Sequence, residues 1–106
     1  MKYNEDQIAS KFLEEAYKNL FKNVIDYLNM DETYQFEVSE FIPNASPSDI
    51  HEFIESLGWT YLEFDSNGWQ QDTWYYYKHE DYSFSLVMNY GGFYGGIVLY
   101  RADIDD

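Results

Sequence analysis

The stretch WYYYKHEDYSFSLV, residues 74–87, decides the fold because it contains parts of two predicted strands and the turn between them. The polar residues 79–81 (HED) are typical of a tight turn, and the strands on either side extend over residues 71–78 and 82–90. From residue 82 the side chains alternate with the period of two that a β-strand requires. One face carries Tyr82, Phe84, Leu86, Met88 and Tyr90, and the other carries Ser83, Ser85, Val87 and Asn89.

Four consecutive rings precede the turn, and the same period divides them between two faces. Trp74 and Tyr76 fall on one face of the strand, and Tyr75 and Tyr77 fall on the other. An antiparallel sheet commonly packs one face against a core and leaves the other face in water. The four rings therefore cannot all be core. We expect one pair to pack under the helices and the other to form a contact surface, and we place Trp74 and Tyr76 among the contact residues.

A long amphipathic helix is predicted at the start of the chain. Asn4 is a favourable N-cap, and the acids that follow it suit the positive end of the helix dipole. Apolar residues then recur at every fourth position, which predicts a helix that ends at about residue 29. The recurring residues are Ile8, Phe12, Ala16, Leu20, Val24 and Leu28.

A strand and a second helix follow. Residues 33–42 (TYQFEVSEFI) alternate polar and apolar side chains and predict a strand that Pro43 ends. Residues 46–49 (SPSD) supply a serine N-cap, a proline suited to the first helical position and an acid at the capping-box position. We expect this helix to end at Gly58, because glycine tolerates the left-handed conformation that closes many helices.

The remaining signals complete a sheet. Residues 59–64 predict a strand, residues 65–68 (DSNG) a tight hairpin turn, and residues 97–101 the last strand. Residues 101–106 read as an acidic tail that frays. The order α-β-α-β-β-β-β, in one domain spanning 1–106, predicts the α+β class. In this fold a long N-terminal helix and a second short helix pack on one face of a mainly antiparallel sheet of four to five strands.

Charge is the most unusual property of the composition. The chain of 106 residues contains 20 acids and 6 bases, which gives a net charge of −14. Residues 1–22 are balanced, so the whole excess falls in residues 23–106, where Lys78 and Arg101 are the only bases. Such a field repels nucleic acid and anionic membranes and attracts basic surfaces. The absence of cysteine and of an apolar leader is consistent with a cytoplasmic protein.

No motif for catalysis or for cofactor binding is present. His51 and Glu55 share a helix face, but the second histidine that a zinc-protease helix needs is missing. His79 lies in the predicted turn, and for both histidines we favour an exposed, solvated side chain. Residues 90–96 (YGGFYGG) are rich in glycine but lack the lysine of a phosphate-binding loop. We therefore predict no enzyme activity, no metal site and no cofactor.

In size, charge and lack of catalytic motifs the chain resembles small acidic proteins of phages and mobile elements that occlude nucleic-acid-binding enzymes. We predict a non-enzymatic inhibitor, of anti-restriction or anti-CRISPR type, that mimics nucleic-acid charge against a basic surface of a DNA- or RNA-binding host protein. Carboxylates would replace phosphates, and exposed rings would anchor the contact. The residues predicted to bind the partner are Asp49, Glu52, Glu55, Glu63, Asp65, Trp69, Asp72, Trp74, Tyr76, Glu80 and Asp81.

Three other hypotheses stay open. The chain could be a protein-interaction domain that makes its contact through an exposed aromatic sheet face, while its acidity is incidental. In one form of this hypothesis the partner is a second copy of the chain, which gives a homodimer. Trp59, Trp69 and Trp74 could form a stacking platform for a neutral sugar. Paired carboxylates could catalyse a reaction, which requires a carboxyl of raised pKa in a pocket. Direct binding of nucleic acid is disfavoured because the predicted sheet carries only two cations.

Overall fold

A computed structural model describes residues 5–43, 45–68, 72–91 and 96–103, with side chains from residue 15 onwards. Over these residues the chain forms three helices and five strands. They are α1 (Glu5–Met30), β1 (Phe36–Glu37), α2 (Val38–Phe41), α3 (Pro47–Ser56), β2 (Thr60–Asn67), β3 (Asp72–Lys78), β4 (Phe84–Gly91) and β5 (Gly96–Asp103). All pairings are antiparallel, in the sheet order β1-β5-β4-β3-β2. The predicted α+β fold and its element order are confirmed.

The hydrophobic core lies between one face of the sheet and the helices. Helix α1 buries residues at spacings of three and four, which is one face of an α-helix, and α3 adds two isoleucines four residues apart. The sheet contributes the alternate residues of its three central strands, as its period of two requires. The core includes Phe21, Val24, Ile25, Leu28, Ile50, Ile54, Tyr77, Phe84, Leu86, Met88, Ile97 and Leu99.

Helix α3 begins and ends as predicted. The Asp49 N–H donates to Ser46 Oγ (3.2 Å) and the Ser46 N–H donates to Asp49 Oδ2 (3.1 Å), which completes the capping box. Gly58 follows the helix with φ of 94°, in the left-handed region. A Cβ at this position would lie 3.0 Å from His79 Nε2. Both conformation and space therefore favour glycine here.

The predicted strand over residues 33–42 is wrong except at Phe36–Glu37, because residues 33–35 lie outside any strand and residues 38–41 are helical. Only Phe36–Glu37 pairs with β5, and Val38–Phe41 forms a single helical turn. The Ile42 N–H donates to the Val38 carbonyl (2.8 Å), and Ser39 Oγ accepts from the Ile97 N–H (2.9 Å). A serine hydroxyl thus replaces one carbonyl of the sheet ladder, and the chain turns away from β5. Alternation over ten residues did not reveal this competing side-chain contact.

Other boundaries also differ from prediction, and β4 begins at Phe84 instead of residue 82. The hairpin turn expected at residues 65–68 is wrong, because β2 continues through Asn67, which pairs with Asp72. The prediction that the chain frays from residue 101 onwards is also wrong for residues 101–103. There Ala102 pairs with Ser85 and Asp103 with Phe84. Residues 104–106 lie outside the described residues.

A β-bulge at Leu62 changes which side chains of β2 face the helices. Tyr61 pairs with Tyr77, but the next pair is Glu63 with Tyr76, so the register shifts by one residue. Because paired residues point to the same side of a sheet, Tyr61 lies on the helix face and Glu63 on the opposite face. Strict alternation would have put both on the same side.

Candidate functional site

The face of the sheet turned away from the helices carries half of the ring cluster in β3. Tyr77 is fully buried and Tyr75 packs at the edge of the core, so both belong to the helix face. Trp74 and Tyr76 alternate with them and therefore lie on the other face, half-buried. We call this other side of the sheet the open face, because the described helices all pack against the opposite side.

Two rows of side chains cross the open face from β2 to β5. In the first row, Glu63 lies opposite Tyr76, and Val87 lies between Tyr76 and Tyr100. The second row contains, in order, Asp65, Trp74, Asn89 and Val98. Neighbouring strands are about 4.8 Å apart, so each row places a carboxylate directly beside a ring. Rings and acids therefore form one continuous surface.

Val87 shows how closely the rings of the open face pack. Its side chain is fully buried although it points away from the helical core. Tyr76 and Tyr100 flank it on the neighbouring strands. The Trp74 indole is close enough to the Tyr100 hydroxyl to influence its pKa. The rings thus form an ordered layer on this face.

Burial within this layer raises the pKa of Tyr100. The neighbouring Tyr76 and the charge of Asp72 raise it further, and the nearby Trp74 indole lowers it. Tyr100 therefore keeps its proton at neutral pH, and the layer is uncharged between its acidic margins.

Acids stand at the margins of this layer. Glu63 and Asp65 are exposed on β2, and Asp72 lies at the start of β3. At the opposite edge, Glu37 of β1 pairs with Val98. The pKa of Glu37 is raised, first by a hydrogen bond with Glu40 and second by the charge of that carboxylate. Like charges therefore crowd one another here, and a cationic neighbour would relieve the repulsion.

The structure divides the residues predicted from the sequence to bind a partner. Five of them share the open face: Glu63, Asp65, Asp72, Trp74 and Tyr76. The three acids of α3 lie on the helix side, where the Asp49 carboxylate takes part in the helix cap. Glu80 and Asp81 lie in the turn beyond Lys78, at the end of the strands opposite to Asp72. Trp69 lies outside the described residues.

The prediction of an exposed, solvated His79 is wrong. Its side chain is 16% exposed and packs against Trp59 (5.3 Å between ring centroids) and Tyr82 (5.2 Å). Its Nδ1 accepts a hydrogen bond from the Asp81 N–H (3.0 Å), which shapes the turn. Gly58 leaves the space that the ring occupies. His79 is therefore a structural residue of the turn.

The prediction of a solvated His51 is also wrong. His51 Nδ1 lies 2.7 Å from the Tyr77 hydroxyl, and Nε2 forms an ion pair or hydrogen bond with Glu55 Oε1, one helical turn away. A neutral ring protonated at Nε2 satisfies both contacts, since Tyr77 then donates to Nδ1 and Nε2 donates to Glu55. Burial raises the pKa of the Tyr77 hydroxyl far above its ordinary range, and the charge of Glu55 adds to this effect. The three side chains link α3 to the centre of the sheet.

Arg101 is the one base of β5, and its charge is used inside the protein. Its side chain is only 15% exposed. Nη1 donates to the Leu28 carbonyl (2.9 Å), Nη2 and Nε donate to Asp103 Oδ1 (2.8 and 3.1 Å), and the guanidinium lies 4.9 Å from the ring centroid of Phe84. All these contacts are on the helix side. Lys78 is therefore the single base on the described part of the open face.

Sequence reasoning did not identify Tyr100, Val87 and Glu37 as candidate contact residues. The alternation of Ile97 and Leu99 with Val98 and Tyr100 contained a signal for Tyr100, because two apolar residues at positions i and i+2 predict a buried side. The rows themselves could not be found, because they depend on the register of β2, β3, β4 and β5.

Comparison of the chain with family models, with curated proteins and with solved structures gives no match. Among the described residues, no three His, Cys, Asp or Glu side chains are grouped closely enough to hold a metal ion. No helix in the described ranges is long and apolar enough to cross a membrane. Surface geometry and charge are therefore the features that bear on the function of the chain.

Proposed function

We propose that the chain is a non-enzymatic binding protein whose open face contacts a basic surface of a nucleic-acid-binding protein. The observation that carries this proposal is the pairing of Glu63 with Tyr76 and of Asp65 with Trp74 across β2 and β3. Each pair combines a carboxylate that attracts a cation with a ring that anchors a contact.

Charge supports a basic protein as the partner of this face. The chain has a net charge of −14, and the described open face offers only Lys78 to a phosphate. Single-strand binders combine stacking rings with a positive groove, which this face lacks. A surface that has evolved to bind phosphates is positively charged, and the carboxylates of the open face would occupy it in place of nucleic acid. Binding would inhibit such a protein by occlusion.

The proposal is tested with three neutralised acids on the open face, E63Q, D65N and D72N, against a matched control that removes three acids on the helix side. The control carries E15Q, D26N and E32Q, which lie away from the open face and change the net charge equally. Both are immobilised and exposed to the heparin-binding fraction of a bacterial lysate. Duplex DNA serves as the competitor, because it should displace proteins that are held through their nucleic-acid sites.

We expect the open-face variant to lose about tenfold in affinity at low salt, from roughly 0.5 kcal/mol per rim charge, while the control retains most of its binding. Retention should fall as salt rises from about 50 to 500 mM, and duplex DNA should release the captured proteins. Equal loss in both variants, or retention that ignores salt and DNA, would contradict the proposal.

The competing hypothesis of an apolar contact predicts a different pattern. Trp74→Ala should then abolish capture, while the neutralised variant binds as tightly as the wild type. Under the charge-mimicry proposal both changes weaken binding, Trp74→Ala by about 30-fold if the ring is a central anchor. The circular dichroism spectrum of each variant checks that the sheet is intact.

A further inference from the structure

A separate cavity lies on the helix side of the sheet, beside the first turns of α3. Its volume is about 320 Å³. Ser48, His51 and Glu52 of α3 form one wall, and Tyr61, Tyr75 and Met88 of the sheet form the other. A volume near 300 Å³ is at the lower end of the range for small-ligand sites. The cavity can therefore hold one side chain or one small molecule.

Aromatic rings at different angles form the walls of this cavity. The His51 and Tyr61 rings meet edge to face, with centroids 5.6 Å apart. The Tyr61 and Tyr75 centroids are 6.3 Å apart and their planes are tilted by 49°. Beside this wall, the Phe64 ring centroid lies 6.3 Å from that of Tyr75, and Phe64 is itself 61% exposed. Aromatic rings that line a space can offer a negative face to a cation.

The charge that lines the cavity is negative. Glu52 lines the cavity and is exposed, and Glu55 lies beside His51. None of the lining residues is Lys or Arg. Both nitrogens of His51 already have partners in Tyr77 and Glu55, so the ring is held in place as a wall. A carboxylate at the rim of an aromatic cavity favours a cation over a neutral ligand of the same shape.

We propose that this cavity binds the guanidinium group of an arginine side chain presented by a bound protein or peptide. A guanidinium is planar, stacks on aromatic faces and donates two parallel hydrogen bonds to one carboxylate, here Glu52. An ammonium group is more strongly hydrated and lacks the planar fork, so lysine should bind more weakly. The inference does not depend on the open face, because the cavity lies on the other side of the sheet and uses different residues.

The test compares two nearly isosteric probes, acetylarginine amide and acetylcitrulline amide, which differ in charge. Ring and methyl resonances of Tyr61, Tyr75 and Met88 are followed by NMR during titration of the full chain. A third titration uses lysine amide that is acetylated at the α-amine and has a free ε-amine, which compares an ammonium group with the guanidinium group. We expect the arginine probe to bind with a dissociation constant of about 1–10 mM, and the citrulline probe to bind at least fivefold more weakly.

Glu52→Gln should weaken the arginine probe about fivefold, and Tyr75→Leu should abolish its shifts. Glu32→Gln removes one exposed acid elsewhere and should leave the affinity unchanged. Glu52 is exposed, so its variant stays folded even if Tyr75→Leu does not. Equal affinity for the citrulline probe, or no shift at about 50 mM arginine probe, would overturn the inference. A loss with Glu32→Gln as large as with Glu52→Gln would also overturn it, because a diffuse field would then explain the binding.

Discussion

Replacing Arg101 by methionine should destabilise the fold more than replacing an exposed base would. Helix α1 has no base in its last turn, and its final carbonyls need partners from elsewhere. Asp31 N–H satisfies the Tyr27 carbonyl (2.9 Å), and Arg101 Nη1 satisfies the Leu28 carbonyl (2.9 Å). The guanidinium also places a positive charge at the negative end of the helix dipole. One side chain of β5 thus completes the end of α1.

The size of the effect follows from the separate contacts. A charged donor to a partly buried carbonyl contributes about 1.5–3 kcal/mol. The contact with the Phe84 ring at 4.9 Å adds about 0.5–1 kcal/mol. Asp103 is 56% exposed, so its pair with Arg101 adds only about 0.2–1 kcal/mol. Methionine keeps part of the packing of the arginine stem, so we expect Arg101→Met to lower the free energy of unfolding by about 2–4 kcal/mol.

Urea unfolding followed by tryptophan fluorescence measures this change. Lys78→Met is the matched control, because it removes the other base of the sheet, which is exposed. Both substitutions change the net charge equally, but Lys78→Met should stay within about 0.5 kcal/mol of the wild type. Arg101→Lys keeps the positive charge but lacks the planar guanidinium group, so its loss of unfolding free energy should lie between those of Arg101→Met and Lys78→Met. A loss below about 1 kcal/mol for Arg101→Met, or one equal to that of Lys78→Met at the same m-value, would refute the reasoning.

Two further predictions concern α3 and its link to the sheet. Because the pKa of Tyr77 is raised in the folded protein, the Tyr77 hydroxyl loses its proton at a lower pH in the unfolded chain than in the folded one. The contribution of Tyr77 to stability is therefore complete below about pH 10 and declines above it. Tyr77→Phe should cost about 1 kcal/mol at pH 7 and make unfolding less sensitive to alkali, and an unchanged pH slope in urea titrations would count against this. Ser46→Ala should lower the free energy of unfolding by about 1 kcal/mol, because the hydrogen bond from the Asp49 N–H to the cap is lost. The control Ser48→Ala should change the thermal unfolding temperature little. Equal changes in unfolding temperature for the two variants would show that the capping box is not the cause.

Local periodicity allowed most elements to be predicted from the sequence. Helix α3 is the clearest case, because the serine cap, the proline and the acid all act within one turn. The face division of β3 was also predictable, since Trp74 and Tyr77 differ by an odd number of positions along a strand. Prediction was wrong where a distant group competes with the local pattern. Ser39 is an example, because its hydroxyl accepts from the N–H of Ile97, 58 residues away.

The candidate site was predictable only as a set of residue types. The acids and rings were identified, but the bulge at Leu62 decides that Glu63 and Asp65 stand beside Tyr76 and Trp74 on the open face. The cavity could not be predicted, because Tyr61 and Tyr75 meet His51 only after β2, β3 and α3 have packed together. A sequence shows neither the position of a bulge nor the register of a strand pair.

The stretch WYYYKHEDYSFSLV illustrates which features the sequence determines and which depend on tertiary structure. Its alternation determined by itself that a turn separates two strands after residue 78 and that the rings of the first strand fall on opposite faces, because the side-chain direction along a strand depends only on position parity. Tertiary structure alone decided what each face contacts. Tyr77 meets His51, which is 26 residues away, and Tyr76 covers Val87 together with Tyr100. These contacts depend on chain segments that are distant in sequence and are brought together only by burial of the shared core.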